Sequence, residues 1–264
     1  MPIQPVVYAD AASLGEALAT EIVVGIGKAA AEGRLYLLGC PGGRSPRSTY
    51  AALCQIVLRQ SLDLSHVVIA MMDDYVVPDG LVFRAVPPTK HYSVAKFAAD
   101  HIVGPLNLVA EPGHSISPEH VWFPDPSCPD EYDEKLRLAG GVDLFILASG
   151  DSDGHVAFNP PGTELASRTR IVELAATTRR DNLGTFPEFG SVAEVPRNGV
   201  SVGLATITEL SQRVVLVAPG AAKRQAVEHI STATDYDPMW PASVLLRCKN
   251  PSLYTDDECI SAVS

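Results

Sequence analysis

Basic residues are scarce in this chain: 20 lysines and arginines stand against 31 aspartates and glutamates, a formal net charge of −11. A nucleic-acid binder needs a basic face to displace counterions, so nucleic acid is not an expected partner. A single small anion gripped by a few local cations fits the same charge balance. Long apolar runs are missing too. The run Ile22-Val23-Val24-Gly25-Ile26-Gly27 is cut off by Lys28, well short of the roughly 20 residues of a membrane-spanning helix, so no membrane is expected. Met1-Pro2-Ile3-Gln4-Pro5 has neither the charged nor the apolar region of a secretory signal. Cysteines are few and scattered: Cys40, Cys54, Cys128, Cys248 and Cys259 form an odd set without metal-ligand spacing. That predicts reduced thiols and a cytoplasmic location, with Cys40 a packing residue. No repeat and no shift in composition divides the chain, so residues 1–264 are read as one domain. Hydrophobic residues at 46 % are enough for a packed core.

Apolar strands alternate with helical stretches, the pattern of a sheet covered by helices. The predicted fold class is α/β, a single-domain three-layer α/β/α sandwich with a mostly parallel, Rossmann-like sheet. Leu14, Leu18, Ile22 and Ile26 recur at helical spacing over residues 12–31. A strand at 35–38 leads through a Gly/Pro/Ser loop at 39–46 into a helix carrying Tyr50, Leu53 and Val57. Further strands are predicted at 67–72, 121–123, 142–148, 200–204 and 214–217, with a last one at Leu253-Tyr254. Helices are predicted at 92–102, at 131–138 and from near Ala221. Residues 159–194 are rich in Gly, Pro, Thr and Arg without clean periodicity. A segment of that kind inside a compact domain is read as a lid or binding segment.

Four places carry candidate chemistry. Gly150-Asp151-Ser152-Asp153-Gly154-His155 follows directly on the apolar strand 142–148, and in an open α/β sheet ligands bind at the carboxyl ends of strands. His155 can take and return a proton near neutrality, and Asp153 can orient its ring; a solvated turn histidine is the alternative. Cys40-Pro41-Gly42-Gly43-Arg44-Ser45-Pro46 lies between a strand and a helix. Backbone amides at Gly42 and Gly43, the Ser45 and Ser48 hydroxyls and the Arg44 guanidinium suit an anion there, although a plain strand-to-helix turn has the same glycines. Asp73 and Asp74 end a strand, where alternation points only one of them into a site and their proximity raises one pKa, as a base requires. A helix cap or a distant ion pair would also explain them. Lys223, in the first turn of its helix, opposes the helix dipole unless it reaches a bound anion; otherwise it is a surface lysine.

Together these residues resemble the glucosamine-6-phosphate deaminase family, which shares its fold with the 6-phosphogluconolactonases, from Leu37 to about Asp257. Residues 38–46 with Thr49-Tyr50 are similar to the family's phosphate loop. Met72-Asp73-Asp74-Tyr75-Val76 resembles its Met-Asp-Glu-Tyr-Val segment, and Asp153-Gly154-His155-Val156-Ala157-Phe158-Asn159 its Asp-Gly-His-Ile-Ala-Phe-Asn. Leu165-Ala166-Ser167-Arg168-Thr169-Arg170-Ile171 resembles a lid segment of the deaminases. The resemblance implies a sugar-phosphate aldose–ketose isomerase or deaminase. In it Asp73 moves a proton between C1 and C2, and His155, oriented by Asp153, opens the ring. Gly42, Gly43, Arg44, Ser45, Asp74, Arg168 and Lys223 are then the substrate- and phosphate-binding set. It implies no metal and no organic cofactor. The expected partner is a small sugar phosphate, and a homo-oligomer is left open.

Three residues depart from the family pattern. Pro160 stands where the deaminases carry a glutamate of the ring-opening relay, for which Asp151 or Glu164 are the nearby replacements in sequence. Gly184 stands where a second phosphate-binding arginine is expected. Arg44 stands where the family has a small residue, and can restore the charge lost at 184 from the other side. Two alternatives follow: a lactonase in which His155 activates water, and a non-catalytic sugar-phosphate-binding protein.

Overall fold

The computed structural model describes residues 2–261. Its strands are β1 (Pro5–Tyr8), β2 (Tyr36–Cys40), β3 (Val67–Met71), β4 (Asp73–Asp79), β5 (Val82–Ala85), β6 (Val121–Trp122), β7 (Leu144–Ala148), β8 (Arg170–Glu173), β9 (Asn198–Ser201), β10 (Val214–Ala218) and β11 (Pro251–Asp256). The main helices are α1 (Ala11–Ala31), α2 (Arg47–Gln60), α3 (Val94–Ala98), α4 (Gly104–Val109), α5 (Asp130–Leu138), α6 (Ala176–Thr185), α7 (Leu204–Leu210) and α8 (Arg224–Thr232). Seven strands form one sheet in the order β1-β11-β10-β7-β2-β3-β6, parallel at every pairing.

The strand sequences explain why this sheet is sandwiched. Strands buried on both faces must be apolar at successive positions, and β2, β3 and β10 are buried at every residue. Period-two alternation then sends side chains to two separate cores. Tyr36, Leu38, Val67, Ile69, Ile146, Val215 and Val217 pack with Leu14, Leu18 and Ile22 of α1 and Leu53 and Val57 of α2. Leu37, Val68, Phe145, Leu147, Val214 and Leu216 pack on the opposite face with Leu136 of α5, Ile207 of α7 and Ile230 of α8.

From β2 the chain proceeds to β3 and β6 on one side, then returns past β2 to lay down β7, β10 and β11 on the other. Right-handed crossovers running in opposite directions place their helices on opposite faces. The strand order therefore reverses between β2 and β7, and a crevice opens beyond their carboxyl ends.

The predicted fold class holds, and most predicted elements lie within a few residues of their observed bounds. A second sheet, order β5-β4-β9-β8, is antiparallel and was not predicted. The apolar run 67–72 leaves the parallel sheet after Met71, and Asp73 opens β4 opposite Ser201 of β9. The expected strand 200–204 ends at Ser201, and Leu204 instead starts α7. No helix among the described residues is long and apolar enough to cross a membrane.

Candidate active site

A cavity of about 290 Å³ lies at the reversal point. Four neighbouring parallel strands deliver its floor and walls from their carboxyl ends: residues 41–45 after β2, Met72 and Asp73 after β3, residues 148–151 and 155 after β7, and Pro219, Ala222 and Lys223 after β10. Tyr75 of β4, Phe158 and Phe186 add apolar walls, and α6 contributes Asp181, Asn182 and Thr185.

Of the residues singled out in the sequence, Gly42, Gly43, Arg44, Ser45, Asp73, His155 and Lys223 all line this cavity. The Tyr50 hydroxyl donates to the Pro41 carbonyl at 2.8 Å and ties the glycine loop to α2. The aspartate pair divides as the alternation of an extended chain requires. Asp73 faces the cavity, while Asp74 turns away and accepts from the backbone amides of Tyr75 at 2.7 Å and Val94 at 3.0 Å. Asp74 thus holds the start of α3 and lies outside the cavity lining, so its assignment as a substrate ligand is corrected. Burial, with the neighbouring charge of Asp74 second, pushes the Asp73 carboxyl up to about 8. Asp74 rises only to about 6, because amide hydrogen bonds offset part of its burial.

Behind His155, Asp153 accepts from the ring Nδ1 at 2.7 Å and from the His155 backbone amide at 3.1 Å. Thr177 of α6 donates a short hydrogen bond to Asp153, and the Thr178 hydroxyl lies 3.2 Å from Nδ1. Burial alone would raise the Asp153 pKa, but the His155 hydrogen bond and charge, with Thr177, outweigh it and hold the group well below the usual carboxylate range. Gly150 makes the arrangement possible. A Cβ there would come within 2.2 Å of the ring Nδ1 and 2.5 Å of Asp153 Oδ1, so any side chain would displace the pair.

Lys223 donates to the Ser149 carbonyl at 2.5 Å and pairs with Asp151. No ion pair to Arg44 is found among the described residues, which leaves its charge free for a ligand. Its guanidinium lies 3.7–3.9 Å from where a Cβ on Gly184 would stand. The arginine of one loop therefore occupies the space beside the glycine of α6, in keeping with the charge exchange read from the sequence.

Arg168 is not brought to the cavity. It is exposed and pairs with Glu209 of α7, with Asp133 of α5 at 4.0 Å, so its assignment to substrate binding is corrected. Its neighbours explain the position of this segment. Ser167 Oγ accepts from the Leu204 amide at 3.0 Å, and Thr169 donates to Asp133, so the stretch docks α7 and α5 on the far side. Pro160 and Glu164 line a separate surface depression. Cys40 is wholly buried and its thiol is pushed up to about 12 by burial, which keeps it a packing residue.

Sequence reasoning missed Asp181 and Asn182, because residues 159–194 were read as lacking periodicity. The signal was polar: Thr177 and Asp181, and Thr178 and Asn182, are spaced i,i+4 and share one face of a helix. Among the described residues Asp153, His155 and Asp181 form one group with three potential metal-ligand atoms within 4.8 Å of each other. The Asp153–Nδ1 hydrogen bond commits two of the three to one another.

The fold and this ring of carboxylates, imidazole and cations are those of an α/β enzyme with a small anionic substrate. The chain belongs to the family of glucosamine-6-phosphate isomerases and 6-phosphogluconolactonases, whose profile matches residues 9–254. It is 35 % identical to the glucosamine-6-phosphate deaminase of Mycolicibacterium smegmatis over 84 % of this chain and 79 % of that one. It is 31 % identical to that of Alkaliphilus metalliredigens over 84 % of this chain and 85 % of the other. A solved monomeric glucosamine-6-phosphate deaminase superposes with a TM-score of 0.80 at 23 % identity, covering 98 % of this chain and 99 % of that one. The 6-phosphogluconolactonase of Leishmania guyanensis gives 0.71 at 16 %, covering both chains fully. At those identities the two structures speak for the fold alone.

Proposed function

We propose that this chain is a cytoplasmic sugar-phosphate aldose–ketose isomerase or deaminase acting on an amino-sugar phosphate or a closely related sugar phosphate. The observation that carries the reading is the position of Asp73, a buried carboxylate on the same cavity as His155, Arg44 and Lys223. A base whose pKa lies near the working pH serves proton transfer best, and burial gives Asp73 that property. Arg44, Ser45, Lys223 and the amides of Gly42 and Gly43 hold the phosphate. His155, held in one orientation by Asp153, accepts the anomeric hydroxyl proton and returns a proton to the ring oxygen. Asp73 then carries the C2 proton of the opened aldose to C1. For an amino sugar this leaves an imine at C2, which water hydrolyses to the ketose and ammonia.

Relatives named as glucosamine-6-phosphate deaminases at 31 % and 35 % identity favour this chemistry over lactone hydrolysis. The test is to incubate the protein with a panel of amino-sugar 6-phosphates, glucosamine 6-phosphate first, and to measure ammonia and ketose phosphate. A 6-phosphogluconolactone assay runs in parallel. Ketose formation from one of the panel is the expected result. Lactone hydrolysis without ketose, or binding without any turnover, would replace this reading with the lactonase or the binding protein.

A further inference from the structure

Helix α6 brings a second carboxylate to the imidazole. Asp181 lines the cavity, and one of its oxygens shares with Asp153 and a ring nitrogen of His155 a cluster no more than 4.8 Å across. No hydrogen bond joins Asp181 to the ring, and its Oδ2 is buried without a hydrogen-bond partner among the described residues. That oxygen is available to accept from a hydroxyl of a molecule bound in the cavity. Both groups face the one cavity, so a single sugar hydroxyl can meet both. Neither carboxylate expected from the sequence belongs to this cluster. Asp151 is paired with Lys223, and Glu164 lines another depression beside Pro160.

We propose that Asp181 is the positioning residue of ring opening, acting through His155. This rests on the function proposed above. The anomeric O1–H proton passes to His155 and a proton returns to the ring oxygen as the C1–O5 bond breaks and C1=O1 forms, so no atom is gained or lost. Asp181 aligns the anomeric hydroxyl with the imidazole and opposes the charge that the ring acquires, while Asp153 holds the ring from behind. The groups around Asp181 are consistent with the role. Burial and the charges of Asp151 and Asp153 raise its pKa, against the lowering by His155 and Lys223. A carboxyl so placed accepts a hydrogen bond from a sugar hydroxyl without the ion pair that would occupy it.

The experiment compares D181N and D181E with the unmodified protein on the sugar phosphate found above. In D181N kcat is expected to fall by about 10²-fold or more, the scale of losing one acid–base partner. KM should stay within about threefold, since the asparagine keeps an oxygen that accepts from the sugar hydroxyl and loses only the charge that opposes the ring during reaction. Binding of the corresponding open-chain alditol 6-phosphate, which needs no ring opening, should be unchanged, and D181E should recover part of kcat. A kcat in D181N within about threefold of the original would overturn the proposal. So would an equal loss of alditol phosphate binding, which marks a merely structural residue, or turnover that requires added zinc, which marks a metal site.

A separate reading needs no substrate. The Asp181 carboxyl, followed by carbon NMR, should titrate at higher pH in H155N than in the unmodified protein, because the ring's charge is gone. An unmoved titration overturns the pairing even if no sugar phosphate is turned over. An unmodified protein inactive on the whole panel, with the coupling present, would count against the proposed function alone.

Discussion

In the seven-stranded sheet, β2, β3 and β10 are buried at every residue. The four-stranded sheet ends in β5, where Val82 is 60 % exposed and the preceding Leu81 wholly exposed. The first sheet has helices on both faces, and its carboxyl ends are fixed by two cores. It supplies the turns that carry Arg44, His155 and Lys223. The second sheet is exposed mainly along its outer strand β5, yet it holds Asp73 at one end of β4, and the chain leaving β8 forms α6. The groups proposed for proton transfer are therefore shared between a platform packed on both faces and a lighter cover. Positions of high packing density set geometry, and the cover adds charge to it.

The strongest break in this comparison is Asp73→Asn, which removes the basic oxygen from the cover while keeping its shape. Turnover is expected to fall by about 10²–10⁴-fold, with exchange of the substrate C2 hydrogen into solvent falling equally. Exchange that persists would take Asp73 out of the base role.

A core truncation measures the platform against the cover. Leu38→Ala empties a position packed beneath α1 and α2 and is expected to cost about 2–5 kcal/mol of unfolding free energy. Leu81→Ser at the exposed turn should stay within about 0.5 kcal/mol. Comparable losses from both substitutions in denaturant titrations would show that the two sheets are equally structured.

Arg44→Ala should raise KM or the Kd for inorganic phosphate by roughly 10–100-fold, the worth of a hydrogen bond to a charged group. The sharper version moves the charge across the crevice. In the double variant R44G with G184R, the new arginine starts from α6 in the space that Arg44 fills, and phosphate affinity should return in part. Full retention of affinity in Arg44→Ala would place the anion elsewhere.

A further effect is on stability against pH. Asp73 keeps its proton up to about 8 in the folded protein but releases it near 3.8 when unfolded. The unfolded chain therefore binds fewer protons between those limits, and stability falls as pH rises through them. D73N has no such slope. Its melting temperature should gain on that of the unmodified protein from about pH 4 to about 8, then run parallel. A difference that is constant with pH would show that Asp73 titrates normally.

Local chemistry made the parallel platform legible. Uninterrupted apolar strands, helical spacing in α1 and the glycine loop after β2 each act over a few residues, and the Asp153–His155 pair lies within one turn. The alternation of Asp73 and Asp74 was legible for the same reason, since an extended backbone sends neighbours to opposite sides. The second sheet was not, because β4 pairs with β9 across more than a hundred residues and neither strand announces the other. Nor could the sequence show that Ser167, Arg168 and Thr169 spend their polar groups on α5 and α7. Which carboxylate stands opposite His155 was decided by tertiary structure alone. Residues 151, 160 and 164 are close to it along the chain, but 151 is paired with Lys223 and the other two line another depression, while the packing of α6 over the crevice brings residue 181 beside the ring. Proximity along a chain restricts which groups can meet, and only the packed core selects among them.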